Sequence, residues 1–325
     1  MKIDHNRFKI HEYEVIGDEL VFVDGLTRVG KSALNQLLNT VENVSHPQFI
    51  ELLEQLIPLI SQSEISIQAA SSLLRLHLNE RFYNFRIGRN LNFRFSDLTS
   101  IWNAKDPQEF FQRLSSSDGD KVLNSERNQR IIHQFQTHDA LTHFSKLKDM
   151  NLEFKMIELV RNPIDTIYSW YLRGWGERFD NADKRSFTML FEFRDKVVPH
   201  YAHGMDENYF KLTPIEKCVA LHNHLIRKSI DEFKSLSNID SKRIKFITFE
   251  KMVTEPDVIM KDVADFLGSN LIENYSYYFS KARVPRNIYL NGEKRKFICS
   301  NINSNLLDEL IDIENQYASN NYYGY

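Results

Sequence analysis

A short loop near the amino terminus has the residue types that hold a nucleotide phosphate. Residues 25–32 read Gly-Leu-Thr-Arg-Val-Gly-Lys-Ser and satisfy the pattern G-x-x-x-x-G-K-[ST]. In such a loop the backbone N–H groups and the positive end of the next helix surround an oxyanion, while the Lys reaches the terminal phosphates and the Ser binds magnesium. The pattern therefore predicts a phosphate site and leaves an ATP or GTP enzyme open. The candidate ligand-binding residues of this loop are Gly25, Thr27, Arg28, Val29, Gly30, Lys31, Ser32 and Ala33.

A second pair of anion-binding side chains follows an apolar run later in the chain. Arg161 comes directly after Lys155–Val160, and Ser169 lies eight residues beyond it. Pro163 is typical of a helix start, so the two donors flank the first turns of one helix. A nucleoside triphosphatase usually has an Asp at the end of such a strand to bind magnesium. Arg161 stands there instead, which argues against that class.

The phosphate loop and the pair of Arg161 and Ser169 each follow an apolar run that predicts a buried strand. The apolar runs that predict these strands are Leu20–Asp24, Ile131–Gln136, Phe154–Val160 and Ile244–Phe249. A helical pattern runs from about Lys31 to Thr40, and mostly helical periodicity continues over about 41–130. We therefore predict a single α/β domain over residues 1–325 of the P-loop-containing nucleotide-binding type. It has a parallel β-sheet flanked by helices and a helical insertion after the first βα unit, with ligands at the carboxyl ends of the strands.

Local signals towards the carboxyl terminus give finer expectations. Thr254 is predicted to cap the helix that starts at Pro256, and Gly268 is predicted to end that helix. Residues 316–325 are rich in Asn and Tyr without periodicity, so we expect this tail to fray. Cys218 and Cys299 lie far apart in apolar surroundings, which predicts two buried thiols.

The two anion motifs together resemble those of the sulfotransferases that use 3′-phosphoadenosine 5′-phosphosulfate (PAPS). In that family a strand is followed by Arg-[Asp/Asn]-Pro and a helix whose Ser joins the Arg on the 3′-phosphate, and Arg161, Pro163 and Ser169 match this pattern. The loop with Gly25 and Arg28 resembles the family's 5′-phosphosulfate loop. Phe249-Glu250, Pro256 and Phe266-Leu267-Gly268 also resemble a family segment, in which Glu250 is structural. The resemblance implies PAPS as cosubstrate and no metal.

The resemblance also suggests a catalytic base. Sulfotransferases carry a Thr-His pair near the end of a strand, and Thr137-His138 is similar to it, which implies that His138 is the base. A histidine pKa near neutrality suits the removal of a proton from a hydroxyl group. Asp139 and His143 are the alternative bases. The chain departs from the family at Gln136, where relatives often have Lys, and we expect Lys31 to supply that charge.

A basic stretch could add a third contact to the donor. Residues 281–296 include Lys294 and Arg295 and resemble loosely the Gly-containing basic loop that closes over the 3′-phosphate in relatives. A solvated basic loop explains the same residues equally well. The mechanism we expect is an in-line displacement at sulfur, in which His138 accepts the proton while Arg28, Lys31 and the loop amides stabilise developing charge.

Composition limits the other partners. With 41 basic and 44 acidic side chains among 325 residues, no overall charge attracts nucleic acid or an anionic membrane. The first residues have no apolar signal segment and no later stretch is long and apolar enough to span a bilayer, so we expect a cytoplasmic protein. The sequence does not indicate an oligomeric state.

We therefore predict a sulfotransferase that places a sulfonate group on a hydroxyl of a carbohydrate or other small alcohol and releases 3′,5′-ADP. The segment at about 41–130 has no counterpart in the resemblance, and we expect it to bind this small-molecule or glycan acceptor. A P-loop kinase or nucleoside triphosphatase that uses ATP and magnesium remains an alternative. A nucleotide-binding interaction module without catalysis is the second alternative.

Overall fold

A computed structural model describes most of the chain. The described residues are 9–17, 19–117, 119–178, 188–193, 196–205, 207–288, 292–319 and 322–323. The strands are β1 (Glu19–Asp24), β2 (Gln48–Phe49), β3 (Ile132–Gln136), β4 (Lys155–Val160), β5 (Leu190–Phe193), β6 (Lys196–Pro199) and β7 (Ile244–Thr248). The helices are α1 (Lys31–Leu37), α2 (Glu51–Ser61), α3 (Ile67–Arg86), α4 (Pro107–Arg113), α5 (Asp120–Asn128), α6 (Phe144–Asp149), α7 (Pro163–Tyr171), α8 (Trp175–Arg178), α9 (Pro214–Ser235), α10 (Asn238–Ser241), α11 (Phe249–Thr254), α12 (Pro256–Leu267), α13 (Ser276–Ala282), α14 (Gly292–Ser300) and α15 (Ser304–Ala318).

The central element is a parallel sheet in the order β2-β3-β1-β4-β7. Consecutive residues of β1 are buried, and Val21, Phe22 and Val23 have no exposed surface. Because successive strand residues point to opposite faces, this burial means that helices cover both faces of the sheet. The prediction of a parallel sheet flanked by helices is confirmed.

The sheet brings the predicted motifs to the end where its parallel strands have their carboxyl termini. In the parallel register Val23 lies opposite Gln136 of β3 and Ile157 of β4. β3 ends at this level, β1 ends one residue later at Asp24, and β4 ends three residues later at Val160. The segments that follow them contain the phosphate loop, His138 and Arg161. Neighbouring carboxyl ends of parallel strands are the usual ligand site of such a sheet.

The segment at about 41–130 is not wholly helical. It contains α2, α3, α4 and α5, but β2 pairs with β3 and extends the main sheet by one edge strand. A strand of two residues beside Pro47 has too few positions to show a period, so the sequence pattern could not predict it. This short pairing fixes the start of α2 beside the sheet.

Two expectations about the carboxyl-terminal half are wrong. Thr254 does not cap α12, because its hydroxyl donates to the Glu250 carbonyl (2.9 Å) and α12 starts without a side-chain cap. Gly268 does end that helix, with a positive φ of 66°. Cys218 is buried as predicted, whereas Cys299 is only half-buried.

Among the described residues no helix is long and apolar enough to cross a bilayer.

The tail was predicted to fray, yet part of it packs on the sheet. Tyr322 and Tyr323 are buried, and the ring of Tyr323 stacks on Phe246 of β7 at 3.9 Å between centroids. The Tyr323 hydroxyl also lies 3.0 Å from Ser229 Oγ on α9. These contacts cover part of one face of the sheet at its edge strand β7.

We expect Tyr323→Ala to lower the free energy of unfolding by about 3 kcal/mol, because it removes a buried stacked ring. Tyr323→Phe keeps the ring and loses only the contact with Ser229, so we expect a loss of about 1 kcal/mol. Urea denaturation of both variants measures the difference. Equal losses in the two variants would show that the ring is not packed on β7.

Candidate active site

Two glycines with positive φ shape the phosphate loop. Gly25 has a φ of 123°, and a Cβ there would lie 2.3 Å from the Leu159 carbonyl oxygen of β4. Gly30 has a φ of 110°, and a Cβ there would meet the ring of Phe249 at 2.4 Å. Both positions therefore require glycine for conformation and for space. Arg28 also has a positive φ, of 74°, which turns the loop between the two glycines.

Lys31 is buried and holds this loop through hydrogen bonds to its backbone. Its ammonium group donates to the carbonyl oxygens of Gly25 and Leu26, the latter at 3.1 Å. Burial lowers the pKa of Lys31, and the nearby carboxyl groups of Asp24 and Glu158 oppose this shift. The predicted contact of Lys31 with the transferred group stays a prediction, because here its donors are directed at the loop backbone.

A buried carboxylate joins the phosphate loop strand to the strand that carries the candidate base. Asp24 at the end of β1 accepts hydrogen bonds from Thr137 Oγ1 (2.9 Å) and from the Leu141 backbone N–H (2.7 Å). Burial and the neighbouring Asp24 raise the pKa of Glu158 well above its usual range. Asp24 therefore holds the backbone on both sides of His138 in place.

The structure brings the two predicted anion motifs together. Arg161 Nη1 donates to the Arg28 carbonyl oxygen (3.1 Å), and Arg28 Nε donates to Ser169 Oγ (3.4 Å). Burial, followed by the charges of Arg173 and Arg161, lowers the pKa of Arg28. Positive charges that repel one another in this way favour a bound anion.

Residues around Arg161 fix its position. Its guanidinium lies over the ring of Phe249 at 4.4 Å, and Arg286 lies over the same ring at 5.6 Å. Glu250 accepts a hydrogen bond from the Asn162 backbone N–H (3.1 Å) and another from the Tyr317 hydroxyl. These bonds agree with the structural role that the sequence resemblance implies for Glu250.

Two further arginines near the cluster were not among the predicted site residues. Arg286 lies within the basic stretch at 281–296, and Arg173 lies outside every predicted motif. Arg173 lies four residues after Ser169 and just beyond the end of α7, so a four-residue spacing in the sequence pointed to the same site. No comparable spacing indicates that Arg286 and Arg161 lie over the same ring, that of Phe249.

The basic stretch at 281–296 was expected to be a loop, but its last residues, from Gly292, belong to a helix. Lys294 and Arg295 lie on α14, while Asn291 lies outside the described residues. Lys294 Nζ contacts Asp165 Oδ1 at 2.5 Å near the start of α7, and Arg295 Nε contacts Glu314 Oε1 at 3.1 Å. Their binding to a cosubstrate stays a prediction.

His138 opens onto a cavity of about 490 Å³ next to the phosphate loop. Its Nδ1 lies 2.9 Å from Glu54 Oε1 of α2. Trp170 Nε1 donates to the Thr27 carbonyl oxygen (2.8 Å), so one wall of the cavity is bonded directly to the loop. The described lining residues are Leu26, Thr27, Phe49, Glu51, Glu54, Gln55, Ile57, His138, Asp139, His143, Trp170, Trp175, Thr188, Met189, His200, Tyr201, Leu221 and Leu225.

The alternative bases face the same cavity. Burial, with a contribution from Lys228, lowers the pKa of His143 to about 3, which makes its imidazole a weak base. Burial and the charge of Asp24 raise the pKa of Asp139 well above its usual range. Gln136 is buried and accepts a hydrogen bond from Asn35 Nδ2 (2.6 Å). Among these groups, His138 has an acidic hydrogen-bond partner and access to the cavity.

The chain matches a family model along most of its length. The model of the sulfotransferase domain covers residues 18–296. The chain belongs to the sulfotransferase family. Sulfonate transfer is therefore the activity class of this protein, and the prediction of a sulfotransferase enzyme is confirmed. Family membership also decides against the kinase alternative.

Solved sulfotransferase structures show distant similarity to this sulfotransferase. The sulfotransferase domain of the Synechococcus PCC 7002 olefin synthase is 15% identical, with 96% of this chain and 98% of that chain covered and a TM-score of 0.49. The enzyme from Alicyclobacillus acidocaldarius is 16% identical, with coverage of 91% and 95% and a TM-score of 0.39. Sulfotransferase STF9 from Mycobacterium avium is 12% identical, with coverage of 94% and 77% and a TM-score of 0.44. No curated protein matches the chain significantly.

We expect Gly25→Ala to destabilise the loop and to weaken anion binding at least tenfold, since its Cβ would overlap the Leu159 carbonyl oxygen. Gly119→Ala is the matched control. Gly119 also has a large positive φ, of 106°, but a Cβ there meets nothing within 4 Å. Thermal unfolding with and without 3′,5′-ADP compares the two variants, and similar ligand responses would contradict the role of close packing at Gly25.

Proposed function

We propose that this sulfotransferase transfers the sulfonate group of PAPS to a hydroxyl group of an acceptor bound in the cavity at His138, and releases 3′,5′-ADP. One observation carries this proposal. Arg28, which contacts Arg161 and Ser169, belongs to the phosphate loop, and Thr27 of the same loop lines the cavity of the candidate base and accepts a hydrogen bond from Trp170. The anion site and the base site therefore both lie at the carboxyl-terminal end of the sheet.

The residues present fit the donor. Two anionic groups need two positive sites, and the loop at 25–33 and the pair of Arg161 and Ser169 supply them. We assign the 5′-phosphosulfate to the loop amides and Arg28, and the 3′-phosphate to Arg161 and Ser169. Lys294 and Arg295 are further candidates on α14. PAPS supplies an activated sulfonate, which carries less charge than a phosphoryl group, so this assignment requires no metal.

The reaction assigned to the cavity is a single in-line displacement. The acceptor oxygen forms a bond to sulfur as the bond from sulfur to the bridging phosphate oxygen breaks, and His138 takes the hydroxyl proton. Negative charge then grows on the leaving oxygen, near the loop amides and Arg28. Lys31 contributes through its bonds to the Gly25 and Leu26 carbonyl oxygens, which hold the loop in its binding shape.

The charges in the cavity favour an uncharged acceptor. Burial lowers the pKa of His200 to about 4, as it lowers that of His143, so both rings are neutral at pH 7. The described lining includes no Lys or Arg, but it includes the carboxyl groups of Glu51, Glu54 and Asp139. An anionic acceptor such as an acidic glycan meets no positive partner there. Aromatic and aliphatic side chains line the rest, which fits a small neutral alcohol.

The segment at about 41–130 contributes to this acceptor site. Phe49, Glu51, Glu54, Gln55 and Ile57 belong to this segment and line the cavity. They lie on β2 and α2 or directly between them. We therefore assign acceptor binding in part to this segment, together with α7, α8 and α9.

Transfer of sulfur-35 from labelled PAPS to neutral hydroxyl compounds, such as simple alcohols and the phenol 2-naphthol, in the presence of EDTA tests the proposal. We expect transfer by the unmodified protein, and a fall of about 100-fold or more for His138→Ala with unchanged affinity for 3′,5′-ADP. His11→Ala, which changes a histidine outside the cavity, is the control. Undiminished transfer by His138→Ala, or no transfer to any of these neutral hydroxyl compounds, would contradict this assignment.

A further inference from the structure

The strongest unassigned contact at the cavity joins its helical wall to the candidate base. Glu54 Oε1 on α2 lies 2.9 Å from His138 Nδ1, although the two residues are 84 positions apart. We propose that Glu54 is a positioning residue that orients the His138 ring and fixes its tautomer for proton removal. This inference rests on the proposed role of His138 as the base.

The chemistry of the two groups determines which nitrogen carries the proton. An ionised carboxylate can only accept a hydrogen bond, so the neutral imidazole donates its Nδ1–H to Glu54. Nε2 then has the free lone pair and is the atom that can accept a proton from the acceptor hydroxyl. Without Glu54 the ring can take the other tautomer or another rotamer, and Nε2 loses its basic role.

His138 is held from two directions. Asp24 fixes the adjoining backbone through Thr137 and Leu141, and Glu54 fixes the imidazole ring. This arrangement leaves the ring few rotamers, which lowers the entropy that must be lost before proton transfer.

The helix that carries Glu54 is itself anchored. Leu53 and Leu56 of α2 are buried in the core. Glu51 Oε2 lies 3.5 Å from Arg81 Nη1 on α3, which ties the first turn of α2 to its neighbour. Glu54 and His138 are about equally exposed, at 33% and 30% of their side chains, and both face the cavity. An acceptor in the cavity covers this pair and strengthens the bond by excluding water.

The assignment gives α2 two functions. Ile57 of α2, with Phe49 of the adjoining β2, offers apolar surface to the acceptor, and Glu54 of α2 orients the base. The segment that selects the acceptor therefore also prepares the group that activates it. A change in the position of α2 should affect the rate constant for transfer as well as acceptor affinity.

Kinetics of transfer from labelled PAPS to 2-naphthol test the proposal. We expect kcat to fall about tenfold or more in Glu54→Ala, while KM and the melting temperature change little, because a positioning residue contributes part of the effect of its base. Glu54→Gln keeps a side chain that can accept the Nδ1–H, so we expect an intermediate kcat. Glu109→Gln makes the same chemical change in the insertion, at an ion pair with Arg113, and should leave kcat unchanged.

A double variant separates positioning from a general structural effect. If Glu54 acts through His138, adding Glu54→Ala to His138→Ala lowers kcat no further than His138→Ala alone. A further loss in the double variant, or a kcat of Glu54→Ala within about twofold of the unmodified protein, would overturn the proposal.

Nitrogen-15 NMR of the histidine rings gives a test without any acceptor. The His138 signals are assigned by their loss in His138→Ala. At a pH where the ring is neutral, we expect the proton on Nδ1 in the unmodified protein and a mixture of tautomers in Glu54→Ala. The same tautomer in both proteins would overturn the proposal. Failure of the proposed function has a different signature, since no transfer would then occur in the unmodified protein while the NMR difference persists.

Discussion

The buried carboxylate of Asp24 is the constraint on which the rest of the site depends. It ends β1 inside the sheet and accepts one bond from the Thr137 hydroxyl and one from the Leu141 N–H. Because β1 leads directly into the phosphate loop, this one side chain sets the distance between the anion site and His138. A buried carboxylate persists only when its partners satisfy it, so the strand end and the loop after β3 must keep a fixed relation.

Burial also sets the charges beneath the phosphate loop. Lys31 lies among Asp24, Glu158 and Asp139, and burial shifts the pKa of Lys31 downward and those of Glu158 and Asp139 upward. These opposite shifts reduce the net charge below the loop. Arg28 and Arg161 lie close enough for their positive charges to repel each other, and these charges would favour an anionic donor there.

Local sequence patterns predicted the features that depend on residues close together in the chain, such as strands and tight turns. The apolar runs of β1 and β4 and the glycines of the phosphate loop gave the strands, the turn and the shared edge where the motifs meet. Contacts between distant segments were not predictable, because neither hydrophobic periodicity nor motif spacing depends on them. The bond between Glu54 and His138, the pairing of β2 and the packing of Tyr323 belong to this class. The direction of the Lys31 ammonium group was also missed, since the motif does not show which carbonyls surround it.

We propose that the two arginine-containing motifs form one site for a 3′-phosphorylated adenosine nucleotide. Calorimetric titration with 3′,5′-ADP and with 5′-AMP, both in EDTA, tests this proposal. We expect 3′,5′-ADP to bind at least about tenfold more tightly, because only it places a phosphate on Arg161 and Ser169. Equal affinities for the two nucleotides, or binding only of ATP with magnesium, would show that Arg161 and Ser169 do not bind a 3′-phosphate.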